Sequence, residues 1–185
     1  MIIATVVPRN YAAPWRFVQS LLSVTASYRF IFTEGPSVAD NRNEILRVAK
    51  DADDHVLFID ADMVFNLADV QKAEFHLESG KDAIAGVYRL NQGEIALFSR
   101  TEGDYALLEP ADGINPCAAA GTGFLGIHRK IVAIMPDNAF DQLWEGKVKH
   151  GTDVSFCHRM RERGCQLWYD SSIRLGHIRS TILYP

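Results

Sequence analysis

His55-Val56-Leu57-Phe58-Ile59-Asp60-Ala61-Asp62-Met63-Val64-Phe65 runs four apolar residues straight into two carboxylates separated by one alanine. A short β-branched and aromatic run bounded by polar residues predicts a strand buried on both faces. Acids placed where such a strand ends stand at the rim of an open α/β sheet, where these folds take their ligands. Two Asp side chains at one rim repel each other unless positive charge lies between them. A divalent metal carrying a nucleotide diphosphate would supply it.

With fourteen aspartates in the chain, about one Asp-x-Asp is expected by chance. The sequence holds its own control in Asp51-Ala52-Asp53. That copy follows a helical stretch, has no apolar run leading into it, and reads as a solvated turn. Strand context is what singles out Asp60 and Asp62.

A length of 185 residues, 48% hydrophobic and 23% charged, describes a globular chain of one domain with room for a two- or three-layer core. Its apolar runs are too short to cross a bilayer, so no membrane span is expected. The start Met1-Ile2-Ile3-Ala4 reads as a first strand without the basic region of a signal peptide. Cys117, Cys157 and Cys165 form no Cys-x-x-Cys pair and are odd in number, which predicts buried thiols in a reducing compartment. The expected location is cytoplasmic, or a host's cytoplasm were the chain viral. A net charge of -4 offers no general attraction to nucleic acid or anionic membranes.

Ile2 to Val7, Tyr28 to Phe32 and Asp82 to Val87 read as further strands. Trp15 to Ala26, Ser37 to Ala52 and Leu67 to Ser79 have helical spacing. Ser37 with Asp40 three residues on makes a capping-box-like start, and Gly80 is a stop. The alternation predicts parallel right-handed crossovers in an α/β fold, a three-layer α/β/α sandwich with a mostly parallel sheet. The second half changes character. Glu94 to Phe98 and Tyr105 to Leu108 read as a hairpin, and Gly121 to Ile127 as a glycine-rich strand running into a short helix. Thr152 to Arg163 reads as a helix, with Gln166 to Tyr169 and Ile173 to Gly176 as strand pieces after it. Pro136 to Lys149 lacks clear periodicity and reads as a loop or lid. Within the single domain 1–185, residues 1–90 are the expected nucleotide-binding half and 91–185 the half that shapes a second pocket.

Arg42 lies on the apolar stripe Val38, Ile45, Ala49, Ala52 of its helix, at the same sheet edge as the two acids. A guanidinium aimed at the sheet must be paired, because burying it alone is costly. A phosphate or nucleobase would pair it through its planar fork; an internal salt bridge to Glu34 or Asp40 would do so as well. Glu34 ends the second strand on that rim, either accepting from a base N–H or ribose hydroxyl or standing as an exposed loop acid. Gly121-Thr122-Gly123 puts small residues where a ligand can approach the backbone, though strand glycines also mark bulges. Asp153 sits in the first turn of a helix, a cap by position and a proton acceptor if it faces a substrate. His177 alone is a structural histidine. With the two aspartates it completes an oxygen-and-nitrogen set suited to Mn2+ or Mg2+. Trp144 is an aromatic platform for a sugar or base, or a buried anchor.

Over most of its length the chain resembles the GT-A glycosyltransferases, closest in style to the family-2 nucleotide-sugar transferases. The residues that carry the resemblance are Ala39-Asp40-Asn41-Arg42-Asn43, Val56 to Asp62, Gly121-Thr122-Gly123-Phe124-Leu125-Gly126-Ile127-His128-Arg129, Gly151-Thr152-Asp153-Val154-Ser155-Phe156-Cys157 and Gly176-His177. It implies metal-dependent transfer of a sugar from a nucleotide-diphosphate sugar to an acceptor hydroxyl on a protein, a glycoside or a modified nucleobase in DNA. Asp60, Asp62 and His177 would hold the cation on the diphosphate, Asp62 most directly, with Mn2+ expected ahead of Mg2+. Pro8, Arg9, Glu34, Arg42, Asp60 and Ala61 would surround the nucleotide sugar, and Gly121, Thr122, Gly123 and Trp144 would lie on the sugar and acceptor side. Asp153 matches the Asp of the Glu-Asp pair that supplies the base in inverting members; Thr152 stands where the family has Glu.

Two other classes share part of this pattern. Sugar-1-phosphate nucleotidyltransferases have a similar topology but carry a glycine- and arginine-rich loop after the first strand. Here that loop is Pro8-Arg9-Asn10-Tyr11-Ala12-Ala13-Pro14, with no glycine. A non-catalytic module that binds nucleotide sugars would keep the fold without turnover, which Thr152 permits and the set Asp60, Asp62 and His177 opposes.

Overall fold

The computed structural model describes residues 1–9, 12–90, 93–101 and 104–178. Ile2 to Val6 of β1 (Ile2–Pro8) are all buried, as a strand covered on both faces requires. Its parallel neighbours are β2 (Arg29–Gly35) outside and β3 (Val56–Ile59) inside. The connections are α1 (Trp15–Leu22) and α2 (Val38–Asp51). α2 starts at the expected cap, with Ser37 Oγ accepting from the Asp40 N–H at 3.2 Å. Next come β4 (Met63–Val64), α3 (Leu67–Glu78) with a reciprocal Asn66–Asp69 capping box, and β5 (Ala83–Val87).

The second half completes the same sheet. The hairpin of β6 (Leu97–Thr101) and β7 (Asp104–Leu107) forms close to where the sequence places it. After β8 (Ile114–Cys117) and β9 (Ala119–Ala120), β10 (Phe124–Ile127) slots between β3 and β5, antiparallel to both. Then follow α4 (Arg129–Ile134), the ribbon of β11 (Trp144–Glu145) and β12 (Val148–Lys149), α5 (Thr152–Glu162), β13 (Leu167–Arg174) and β14 (Gly176–His177). The main sheet runs β2-β1-β3-β10-β5-β13-β8. All but β10 and β8 point the same way.

α2, α4 and α5 cover one face through Ile45, Leu46, Ile131, Val132, Phe156 and Met160. α1 and α3 cover the other through Phe17, Val70, Ala73 and Leu77. This is the three-layer α/β/α sandwich with a mostly parallel sheet that the sequence predicts. Pro136 to Lys149 is tied down rather than loose: the Asn43 side chain donates to Asp141 and accepts from the Phe140 N–H, each at 2.9 Å, and Phe140 is buried. The two strand pieces near the end join into β13, whose register shifts between Tyr169 and Arg174. All three cysteines are buried and free. Among the described residues no helix is long and apolar enough to cross a membrane.

Candidate functional site

β1, β2, β3 and β5 bring their C-terminal ends to one rim, and the chain leaves β3 there through Asp60-Ala61-Asp62. The Asp60 N–H donates to the Gly123 carbonyl at 3.2 Å, and the Asp60 carbonyl accepts from the Met63 N–H at 3.1 Å. Ala61 is buried inside this turn. The two acids consequently face different partners.

Asp60 meets α2. Arg42 Nη2 donates to Asp60 Oδ1 at 3.1 Å, while Nη1 donates to Asp153 Oδ1 at 2.5 Å and Thr152 Oγ1 at 2.8 Å. The guanidinium is buried and lies 5.7 Å from the Phe140 ring. Burial works against its charge, and Asp60 and Asp153 more than offset this, so its pKa stands above the ordinary arginine value. Burial pushes the Asp60 carboxyl up from its ordinary range, against the pull of Arg42 and with a further push from Asp153 and Asp62. Arg42 is therefore paired internally, but with neither Glu34 nor Asp40: its partners come from the end of β3 and the first turn of α5. Thr152 accepts from Arg42 and donates to Asp153 Oδ1 at 2.9 Å, and Asp153 Oδ2 accepts from the Thr122 N–H at 3.3 Å.

Asp62 meets the tail. β14 pairs antiparallel with β4, His177 opposite Met63, and the Ile178 N–H donates to the Asp62 carbonyl at 2.8 Å. This short ribbon places His177 Nε2 3.2 Å from Asp62 Oδ2, and His177 Nδ1 2.8 Å from the Arg89 carbonyl. A carbonyl only accepts, so Nδ1 carries a proton, and Nε2 faces the Asp62 carboxylate either as a second donor or through its lone pair, in which case a cation between the two would reconcile them. An imidazole whose other nitrogen donates to a backbone carbonyl is the usual arrangement of a metal-bound histidine. Asp62 and His177 thus fit a divalent ion. Among the described residues no group of three or more His, Cys, Asp or Glu gathers in a way that could hold a metal ion; Asp60 gives its carboxylate to Arg42.

Tyr88, which the sequence reasoning missed, links the Gly123 backbone to His177. Just past β5 and buried, it accepts from the Gly123 N–H through its hydroxyl at 3.1 Å, and its ring meets the edge of His177 at 5.9 Å. A Cβ on Gly121 would lie 2.1 Å from that hydroxyl, and one on Gly123 2.6 Å from the ring. The space these glycines leave is filled by Tyr88. Burial, together with Asp60 and Asp153, pushes the phenol far above its ordinary pKa. An aromatic directly after a strand, with two glycines elsewhere to make room for it, was the available signal.

Of the remaining positions, Pro8 ends β1, and Arg9 and Glu34 are exposed. Thr122 is buried, its hydroxyl unpartnered. Trp144 is 61% exposed, with Lys149 Nζ 5.7 Å over its ring, so it is no buried anchor. A cavity of about 540 Å³ opens beside His177, lined by Tyr88, Arg89, Asp112, Ser171 and Arg174 among others.

No protein-family model matches the sequence, and no curated protein matches it. Solved structures do share its shape. A197 from STIV gives a TM-score of 0.74 at 20% identity, over 97% of this chain and 87% of that one. GalNAc-T7, crystallised with UDP, GalNAc and Mn2+, gives 0.65 at 11% identity over 100% of this chain and 44% of that one, so the chain spans less than half of that protein. A protein from Desulfovibrio desulfuricans G20, provisionally described as a nucleotide-diphospho-sugar transferase, gives 0.56 at 13% identity, over 96% and 81%. At these identities the likeness establishes the fold, which is GT-A-like.

Proposed function

We propose that the chain transfers a sugar from a nucleotide-diphosphate sugar to an acceptor hydroxyl, with a divalent cation, Mn2+ ahead of Mg2+, held by Asp62 and His177. The observation that carries this reading is His177 Nε2 standing 3.2 Å from Asp62 Oδ2 at the sheet rim while Nδ1 meets the Arg89 carbonyl. The GT-A-like fold supports it, and one of its structural neighbours was solved with UDP and Mn2+. When bound, the cation would neutralise charge that develops on the diphosphate as the glycosidic bond breaks.

The chain's own residues position the reactants. Arg9, Glu34, Pro8 and Ala61 border the nucleoside side of the rim, and Trp144 and the Gly121 to Gly123 segment border the acceptor side. Arg42 acts as a positioning residue, fixing Asp60 and Asp153 at once. Asp153 Oδ2, which among the described residues meets the Thr122 N–H at 3.3 Å, takes the acceptor's hydroxyl proton. The acceptor oxygen bonds to the anomeric carbon from the face opposite the diphosphate, the carbon–diphosphate bond breaks, and the nucleoside diphosphate leaves with that electron pair. The anomeric centre inverts.

Calorimetry with UDP tests the donor side. Binding should require Mn2+, and Asp62→Ala should lower the Mn2+-dependent affinity about a hundredfold; an unchanged affinity removes the cation assignment. Asp153→Asn should keep UDP affinity and lower transfer about a hundredfold or more. Transfer at the original rate would leave Asp153 a structural acid. A binding module without turnover is the second reading, favoured by Asp153 Oδ1 being already taken by Arg42 and Thr152. Undetectable UDP-sugar hydrolysis alongside intact UDP binding selects the module.

A further inference from the structure

We infer that the cavity beside His177 takes a small ligand carrying a phosphate group, and that it binds there independently of the donor assignment. The cavity, about 540 Å³ in volume, lies between the ends of β5 and β13, which is ample for a phosphorylated sugar or similar molecule. Its lining includes two arginines, Arg89 and Arg174. Arg89 Nη1 donates to the Gly93 carbonyl at 2.6 Å, and Arg174 Nε donates to the Ser171 carbonyl at 3.1 Å. Among the described residues each is braced by one backbone oxygen, with no partner on its other N–H groups. Neither meets a carboxylate among the described residues. Arg42 and Arg100, by contrast, are both matched to acids.

Two open guanidinium forks match the charge and geometry of a phosphate dianion. Ser171 Oγ already accepts from the Gly113 N–H at 2.8 Å, so its own proton is free to donate. Asp112 is the one carboxylate among the described lining residues and would oppose an anion, which gives the proposal a sign to test. Ile95 and Leu175 supply apolar wall for the body of the ligand. A polymeric nucleic acid would call for a stripe of cations along a groove. Two arginines confined to one cavity of a chain with net charge -4 select a small ligand instead.

The probe is inorganic phosphate, titrated into the full chain with and without UDP and Mn2+. Phosphate should bind under both conditions. Arg174→Gln and Arg89→Gln should each weaken it about tenfold, and Asp112→Asn should tighten it a few-fold. Both arginines are exposed, so an unchanged melting temperature will confirm that the variants fold. The UDP–Mn2+ affinity of Arg174→Gln should stay within about twofold of the parent. Phosphate affinity unmoved by either arginine substitution overturns the proposal. So does competitive displacement of phosphate by UDP–Mn2+, which would give the arginines to the donor's diphosphate. A short single-stranded oligonucleotide binding through the same arginines about tenfold more tightly than phosphate would overturn it in favour of a polymer. Failure of UDP to bind with Mn2+ counts against the donor assignment alone, because the phosphate titration without UDP and Mn2+ reads Arg89 and Arg174, which that assignment does not use.

Discussion

At the N-terminal end of β3, the acids of Asp51-Ala52-Asp53 face water: the Asp53 side chain is 80% exposed, and its ion-pair partner is Arg129 at 3.6 Å. At the C-terminal end, Asp60 is bound to a buried guanidinium and Asp62 faces His177. The histidines divide in the same way. His55 Nδ1 accepts from the Arg129 N–H at 2.9 Å, and His128 Nδ1 accepts from the Lys130 N–H at 3.0 Å, the two rings meeting at 4.4 Å. Each gives its lone pair to the first turn of α4, as a helix cap does. His177 instead donates through Nδ1 to a carbonyl and turns Nε2 to the Asp62 carboxylate. Whether a histidine's backbone partner is an N–H or a C=O thus separates a cap from a candidate ligand, and the same three-letter acid pattern separates by what precedes it.

The largest test of this contrast is Arg42→Met, which keeps bulk and removes the positive charge between Asp60 and Asp153. Breaking a fully buried pair costs about 3–5 kcal/mol. The two carboxylates here are 36% and 34% exposed, so a loss of about 2–3 kcal/mol at neutral pH is expected, read by urea unfolding. Burial already raises the Asp60 pKa, so proton uptake relieves the variant and the deficit should shrink as pH falls toward the carboxylate range. A deficit below about 0.5 kcal/mol would class the cluster with ordinary surface pairs, like the one at the other end of the strand.

Most of what positions this cluster was legible in the sequence because it is local. β3 has the boundaries that its apolar run predicts, Ser37 caps α2, and the stripe position of Arg42 announced a buried cation in need of partners. The partners themselves were not legible, since they lie 18 and 111 residues away in the chain. The placement of β10 between β3 and β5 was hidden for the same reason: apolar periodicity fixes a strand's faces and says nothing of its neighbours. β8 was missed outright. It contains Pro116, which a central strand would reject and this edge strand tolerates. The β4–β14 ribbon that carries His177 to Asp62 is two residues long on each side, too short to leave a pattern.

The back end of β3 makes an intermediate prediction through pH. Burial lowers the His55 pKa from its ordinary value, against the pull of Glu78, and burial followed by repulsion from His55 lowers that of His128. A depressed folded pKa means that the unfolded chain takes up protons first. Stability from these rings is complete above about pH 6.5 and is lost as pH falls through the folded values. The melting temperature should drop between pH 7 and pH 5, and His55→Asn with His128→Asn should flatten that slope. An unaltered slope would mean that the rings do not cap as their geometry indicates.

The smallest expected effect belongs to Asp53→Gly. Asp53 has φ of 48°, a left-handed conformation that costs an aspartate something and a glycine nothing. Substitution relieves that cost but frees the unfolded chain as well, and these nearly cancel. The pair with Arg129, exposed on both sides, adds little. Stability should stay within about 0.5 kcal/mol of the parent, and UDP–Mn2+ affinity should not move. β3 alone holds the two acid pairs about 13 Å or more apart, beyond a Debye length in ordinary buffer. A change in nucleotide affinity on replacing Asp53 would therefore require the two ends of the strand to be coupled through its backbone, and strand context would no longer distinguish one Asp-x-Asp from the other.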